Sequence, residues 1–389
     1  MKLLLYTNIL TPYRKYFYDL IYQKCLDNND EFKVYVMAEN EPNRNWEYDD
    51  LKSIYTELLD SKTRSRGETY IHFNMGLKNK LVEYRPNVVI CAGSYISPGI
   101  WTVCKYKKNL DYKVFFWSES HLNEYRKYNS IKLKVREKIR KIVYGKFDGF
   151  LYAGKLSKEF ILNYNKNAEM FFLPNLIDEK KYKDVVNFTN LEKDNIINKY
   201  GLNKRKFIFV CPARLSPVKG ILEFLNLFSK TQSYKNATIL IAGDGELEKD
   251  IKRYSAEKDL DVRLLGYKSQ NEVIELYSIA DSFLMPSLSD PNPLTSIEAL
   301  FSGLPLLISN HVGNYPEVVK EGVNGYILDY SAEDESVKKI DRLLNSPEEW
   351  YQQAKNISLN IATEKFGSEE KTKELLVFLK SFAKKQETL

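Results

Sequence analysis

The chain has 389 residues, 43% hydrophobic and 28% charged, with a formal net charge of +6. That length suits two domains, and the balance of apolar and charged residues excludes a disordered chain. The opening MKLLLYTNILTPYR holds an apolar run of only three leucines, too short for a signal peptide, and no window approaches the ~18 apolar residues of a membrane span. Cys25, Cys91, Cys104 and Cys211 lack metal or disulfide spacing, so free thiols and a cytoplasmic setting are expected. Only His72, His121 and His311 are present, which argues against a His-rich metal site.

In the first half, apolar runs at 3–7, 32–38, 87–92, 113–117, 149–153 and 170–173 alternate with helical patterns beginning near Tyr13, Met75, Ser97, Ile131 and Ser157. This alternation predicts α/β architecture with a parallel sheet covered on both faces. The stretch 40–66 is polar and weakly periodic and is expected as a long excursion. Ligands of such sheets sit at the carboxyl ends of the strands. Three loops there supply candidates: Asn8, Thr11, Tyr13 and Arg14 after the first strand, Tyr95 after the third, and Glu119 and His121 after the fourth. A histidine after a strand is usually structural, but the neighbouring acid makes His121 an active-site candidate.

Residues 126–146 carry nine Lys or Arg against the single acid Glu137, with Ile131, Val135, Ile139 and Ile142/Val143 at helical spacing. The pattern is a basic amphipathic helix, either an ordinary solvated surface helix or one suited to an anionic membrane surface. No aromatic RNA-binding motif accompanies it, so a nucleic-acid partner is not expected. The polar stretch 179–205 is read as the connection between domains.

The second half repeats the grammar, with strands at 207–211, 237–242, 262–265, 282–285, 306–309 and 325–328 and helices from about Lys219, Glu246, Asn271, Thr295, Tyr315, Ser331 and Pro347. A Lys-rich helix near 371–385 ends the chain. The expected division is 1–178, 179–364 and a final helix 365–389, a candidate for packing on the first domain. Two α/β halves in series predict a ligand cleft between them.

The chemistry concentrates in 286–305, PSLSDPNPLTSIEALFSGLP. Asp290 lies in the loop and Glu298 eight positions on, in a helix entered at Leu294 or Thr295. A strand, a tight loop and a helix start present N–H groups and a positive dipole end to an anion, while carboxylates accept from hydroxyls. The competing reading is that Thr295-x-x-Glu298 is only a capping box. Upstream, PARLSPVKG places Arg214 and Lys219 around a turn after a strand, a pair suited to a diphosphate or, alternatively, two surface cations. AGDGE after the next strand offers Gly243, with Asp244 read as a helix cap, and LGY offers Gly266 and the main chain of Tyr267 for a flat base. No Asp-x-Asp metal motif sits at a strand end; Asp259-Leu-Asp261 is read as a turn before a strand.

Arg214-x4-Lys219, AGDGE, LGY and Asp290-x7-Glu298 ending in EALFSGLP resemble, in order and spacing, the retaining family-4 glycosyltransferases of GT-B fold, most strongly over 207–328. PNLID and the ESH loop look similar to bacterial polysaccharide-assembly members. The resemblance implies two Rossmann-like domains facing each other across a cleft, acceptor on the first and nucleotide sugar on the second. It implies that Arg214 and Lys219 hold the donor diphosphate and that Glu298 binds the ribose. Asp290 would contact the transferred sugar, with Pro293, Leu294 and Thr295 against phosphate and sugar. His121 or Glu119 would orient acceptor or sugar. It further implies front-side transfer with retention. The expected donor is a UDP-sugar before a GDP-sugar, its diphosphate stabilised by Arg214, Lys219 and the helix start so that no metal or other cofactor is needed, and the expected acceptor is a glycan or lipid-linked glycan in bacterial surface polysaccharide synthesis, with the basic helix 126–146 pointing to the inner face of the plasma membrane. The sequence departs in three places: Asp290 where Glu is common, Pro293 where Gly is frequent, and no glycine in the loop 8–14. A non-catalytic partner subunit of the same fold and a nucleotide-sugar epimerase are the competing readings.

Overall fold

The computed structural model describes residues 1–41, 48–66, 69–121, 130–203 and 206–383. They form two α/β units: the described residues of 1–120, 126–176 and 368–389 make the first, and His121 with 177–367 the second.

In the first unit β1 (Lys2–Thr7), β2 (Glu31–Val36), β3 (Thr56–Leu58), β6 (Val88–Ala92), β7 (Lys113–Ser118), β8 (Gly149–Tyr152) and β9 (Glu169–Phe172) form one sheet in the order β3-β2-β1-β6-β7-β8-β9. Every pairing is parallel, with Leu3 opposite Phe32 on one side and Val88 on the other. The central strands are uninterrupted apolar runs because both faces are covered. Leu3 and Leu5 enter one core and Leu4 and Tyr6 the opposite one. The first core is closed by helix Pro12–Asp27 and by the chain's last described helix, Ser368–Ala383, which inserts Leu375, Leu376 and Leu379. The Phe378 and Phe382 rings lie 5.5 and 5.0 Å from Phe115.

The described residues of 40–66 carry more regular structure than their pattern suggests. They contain helix Tyr48–Leu51, edge strand β3 and β4 (Ser61–Arg66), which pairs antiparallel with β5 (Thr69–Asn74) as a separate hairpin. A three-residue edge strand and a polar hairpin bury too little for an apolar period to show in sequence.

Residues 126–129 of the basic segment lie outside the described residues; the helix spans Ser130–Tyr144. Of its predicted apolar stripe, only Val143 serves the core among the residues whose side chains are described. Val135, Ile139 and Ile142 are 55, 36 and 50% exposed, and Tyr144 is buried beside Val143. Arg140 also faces inward, its guanidinium 4.7 to 5.2 Å from the rings of Phe160, Tyr95 and Tyr164. Cation–π contact thus replaces aliphatic packing on that face.

The second unit has β10 (Phe207–Pro212), β11 (Ala237–Ala242), β12 (Val262–Leu264), β13 (Ser282–Met285), β14 (Leu306–Ser309) and β15 (Gly325–Leu328), all parallel, in the order β12-β11-β10-β13-β14-β15. Ile208 and Val210 point to one core and Phe209 and Cys211 to the other. Residues 177–203 fold onto this unit: Tyr182, Val185 and Ile196 join the same cluster as Tyr277 and Leu300. Both sheets reverse strand order beside their first strand, β1/β6 and β10/β13, the crevice where doubly wound folds take ligands.

Leu379 is fully buried in the first unit. Leu379→Ala is expected to cost about 3 kcal/mol through lost transfer energy and a cavity, read as a lower urea midpoint at unchanged slope.

Candidate functional site

The site in the second unit grows from three strand ends. After β10 the chain runs through a loop to a short 3-10 turn, Pro217–Lys219, and into helix Ile221–Phe228. Backbone bonds tie this loop to the one after β11: Ala213 N to Ala242 O at 3.1 Å, Leu215 N to Asp244 O at 2.7 Å, and Leu247 N to Leu215 O at 3.0 Å. Such crossing requires glycine. A Cβ on Gly243 would stand 2.1 Å from Ala213 O, and one on Gly220, whose φ is +63°, would stand 2.2 Å from Pro286 O. On the other side Leu288 N donates to Val218 O at 2.8 Å, fastening the loop to the segment after β13. The result brings Lys219 and Asp290 together, Nζ to Oδ2 at 2.6 Å. Arg214 is exposed on the same loop and, among the described residues, has no acid within ion-pair distance.

After β13 the chain turns at 286–293 and enters helix Leu294–Phe301, with Pro293 as N-cap and no side-chain cap. Thr295 is therefore inside the helix, and the capping box with Glu298 does not form. The turn is shaped by Asn314, only 1% exposed, whose Nδ2 donates to Pro293 O at 3.1 Å and to Ser296 Oγ at 2.9 Å. Gly313 N donates to Asp290 O at 2.7 Å. The first N–H groups of a helix have no intrahelical acceptor, so Leu294 and Thr295 present donors and a positive dipole end beside Lys219 and Asp290.

Released from capping, Glu298 is set against tyrosines. Tyr277 Oη donates to its Oε2 at 3.2 Å. Gln270 Nε2 in turn donates to Tyr182 Oη at 2.8 Å. Burial raises the Glu298 carboxyl above its usual range, opposed by hydrogen bonds from Tyr182 and Tyr277. Its charge in turn helps hold both tyrosines protonated, after burial, the larger cause. A carboxylate kept in a half-buried setting with two hydroxyl donors is a strong acceptor for further hydroxyls.

The remaining residues of this unit fall around these. Gly243 and Gly266 face each other in an isolated bridge, and Tyr267 is 77% exposed just beyond it. Asp244 does not cap a helix: the next one, Glu248–Glu257, starts later, with Leu247 as N-cap. His121 is buried against Gly313, where a Cβ would come within 2.9 Å of its Cδ2, so it neighbours the Asp290 turn. Tyr182, Tyr277, Ser296 and Asn314 were not singled out from sequence. A tyrosine inside the apolar helix run LYSIA was the one visible signal, since a buried hydroxyl needs a partner.

The first unit gathers a second group at its strand ends. The Arg14 guanidinium lies 5.1 Å from the Trp117 ring, its Nη1 donates to Thr7 Oγ1 at 3.2 Å, and its Nη2 stands 4.0 Å from Glu119 Oε1. Asn8 Nδ2 donates to Glu41 at 3.0 Å. Thr11 caps helix Pro12–Asp27 through Arg14 N, and Tyr13 is partly exposed. Tyr95 is buried, its hydroxyl accepting from Arg136 Nε at 3.2 Å, so its role is internal packing more than contact with a ligand. Among the described residues no cluster of three or more His, Cys, Asp or Glu is arranged to hold a metal.

Residues 192–359, inside the second unit, match the family model described as Glycosyl transferases group 1. This chain carries a Glycosyl transferases group 1 domain. It is 29% identical over 221 residues, 54% of this chain and 56% of the relative, to UDP-Gal:alpha-D-GlcNAc-diphosphoundecaprenol alpha-1,3-galactosyltransferase of Escherichia coli. It is likewise 29% identical over 188 residues, 47% of this chain and 46% of the relative, to alpha-monoglucosyldiacylglycerol synthase of Acholeplasma laidlawii. The chain spans about half the length of these curated relatives. Among solved structures it superposes on the lipopolysaccharide outer core galactosyltransferase WaaB, TM-score 0.74, 17% identity, 98% of this chain and 100% of that one. It also superposes on Anabaena HepE in complex with UDP, TM-score 0.73, 15% identity, with the same coverages. The glycosyltransferase fold, two Rossmann-like domains of GT-B type, thus extends over nearly the whole chain.

The raised Glu298 pKa makes a stability prediction with a definite sign. The folded state holds the Glu298 proton more tightly than the unfolded chain, so this group's stabilising contribution is full below its ordinary value of 4.5 and lost as pH rises through the folded pKa. Glu298→Gln is therefore expected to melt higher relative to wild type at pH 8 than at pH 4. Thermal melts at both values check it, and the reverse order would contradict the assignment.

Proposed function

We propose that this chain is a retaining, metal-independent glycosyltransferase that moves a sugar from a nucleotide diphosphate sugar to a glycan or lipid-linked glycan acceptor, in bacterial surface polysaccharide synthesis. What supports the reading is that Lys219, on the loop that also carries the exposed Arg214, pairs with Asp290 ahead of the uncapped start of helix Leu294–Phe301, the helix that carries the half-buried Glu298. A nucleotide sugar needs both kinds of group: cations and N–H donors for its diphosphate, and an acceptor for the ribose hydroxyls.

The donor's anomeric C–O bond breaks and the acceptor oxygen bonds to that carbon from the same face. The acceptor's proton passes to the departing phosphate oxygen. Negative charge grows on the leaving diphosphate, where Arg214, Lys219 and the helix start stabilise it without reorganising. Glu298 fixes the nucleoside, and Tyr277 and Tyr182 hold Glu298. Gly243, Gly266 and the Tyr267 main chain border the base. UDP is favoured for the nucleotide because the superposed HepE is in complex with UDP. The strand-end group of the first unit, Asn8, Thr11, Tyr13, Arg14 and Glu119, is the acceptor side, and His121 orients acceptor or sugar from beside the Asp290 turn. The described helices include none long and apolar enough to cross a membrane. Four buried free cysteines accord with a cytoplasmic protein.

A lipid-linked acceptor agrees with helix Ser130–Tyr144. Val135, Ile139 and Ile142 form an exposed stripe bordered by the exposed Lys134, Lys138 and Lys141. Apolar residues entering the headgroup region beside lysines on lipid phosphates are how a helix lies on an anionic surface.

Transfer from UDP-sugars and GDP-sugars, followed by anomeric analysis of the product, tests the assignment. Arg214→Ala is expected to lower kcat/KM by about a hundredfold, with melting unchanged and no effect of EDTA on either protein. Hydrolysis and transfer absent in wild type with all donors would favour the non-catalytic partner. On the membrane side, replacing Val135, Ile139 and Ile142 by Ser is expected to weaken flotation with phosphatidylglycerol vesicles by about tenfold or more. Equal flotation of the two proteins would remove the helix from that role.

A further inference from the structure

We propose that Gln270 is a positioning residue of the nucleoside site: it turns the proton of the Tyr182 hydroxyl onto the Glu298 carboxylate and so keeps that carboxylate set to receive the ribose hydroxyls. The proposal rests on the reading above in which Glu298 binds the ribose.

The direction of each bond follows from what its atoms can do. An ammonium only donates, so Lys181 Nζ, 3.3 Å from Gln270 Oε1, marks the oxygen end of that amide. The nitrogen end faces the other way, and Nε2 donates to Tyr182 Oη at 2.8 Å. A phenol has a single proton to give. With its oxygen occupied by an N–H donor, the Tyr182 hydroxyl gives that proton to Glu298, its other hydrogen-bond partner. Tyr277 supplies a second bond, Oη to Glu298 Oε2 at 3.2 Å. Both tyrosines are 1% exposed, with ring centroids 6.3 Å apart, so solvent hardly competes for their hydroxyls.

Three helices are joined by these bonds. Tyr182 lies on Glu179–Lys183, Gln270 and Tyr277 on Gln270–Ile279, and Glu298 on Leu294–Phe301. The helix start at Gln270 is held by the capping box of Ser269 and Glu272, and the Gln270 side chain is exposed, so its amide is not needed to fold that turn. A carboxylate has about four acceptor positions. Bonds from Tyr182 and Tyr277 orient it and leave room for the two neighbouring hydroxyls of a ribose.

Isothermal titration of the full chain with UDP, GDP, 2′-deoxy-UDP and 2′-deoxy-GDP tests this. For whichever base wild type takes, Gln270→Glu is expected to weaken the ribonucleotide about tenfold and its 2′-deoxy counterpart about threefold or less. The new carboxylate has the size of the amide but accepts the Tyr182 proton and draws it off Glu298. Its melting temperature is expected to hold or rise, because an acid suits a helix start. Tyr182→Phe is expected to lose ribose preference in the same way. Gln270→Ala, which gives Tyr182 no rival acceptor, is expected to cost about threefold. Asn271→Glu places the same charge one position on, exposed to solvent, and is expected to bind within about twofold of wild type. If Gln270→Glu keeps the wild-type affinity and ribose preference, or Asn271→Glu loses them equally, the direction of the Tyr182 proton does not matter and the proposal is overturned. If Glu298→Gln keeps the wild-type ribose preference, or wild type binds none of the four or has no such preference, Glu298 is not at the ribose and the proposal falls with that assignment.

Discussion

The second unit depends on backbone passing backbone at very short range. The loop after β10 lies against the loop after β11 at Gly243 and against the turn after β13 at Gly220, and at each place a single Cβ would collide with a carbonyl oxygen. These crossings fix where Arg214, Lys219 and Asp290 can be. The start of helix Leu294–Phe301 has no side-chain cap, since Pro293 is its N-cap and Asn314 holds the turn. Loops that satisfy each other's backbone groups leave the helix start available, which is what the proposed diphosphate site requires.

The same arrangement explains the cost held in Glu298. Freed from capping duty, it is packed against Tyr277, with Tyr182 close by. Burial disfavours its charge, and the hydroxyl donors recover only part of what is lost. Function-bearing groups are often held at such a cost, with the surrounding core supplying the stability. That core is substantial, since Tyr277, Tyr182, Ile297 and Leu300 belong to one cluster built from both the strand layer and the segment 177–203.

The two units repeat one sheet design but assign their charges differently. In the first, the Arg14 guanidinium is stacked on Trp117 and stands near Glu119, so its charge is partly spoken for. In the second, Arg214 is exposed and has no acidic partner among the described residues, and Lys219 is paired with Asp290. The free positive charge therefore sits in the unit that the group 1 family model matches.

The sequence by itself determined the strands of the two parallel sheets, apart from the edge strand β3. Runs such as LLLYT, FIFVC and ATILIA are apolar on both faces, which only a sheet covered twice can bury, and the observed boundaries fall within two residues of those expected. It also determined the spacing Arg214-x4-Lys219 and Asp290-x7-Glu298, because strand, turn and helix start are local in the chain. Only the tertiary structure decided which partner each of these residues has. Thr295 and Glu298 spell a capping box as a string, yet the box is absent because Asn314, distant in sequence, holds a turn whose N-cap is Pro293, two residues earlier. The stripe Val135, Ile139, Ile142 has the period of a core-facing helix, yet it is exposed because Arg140 stacks inward on three rings. Periodicity reports that a side chain is apolar and on one face. Whether that face meets a core is a matter of contacts between residues distant in sequence, which no local pattern records.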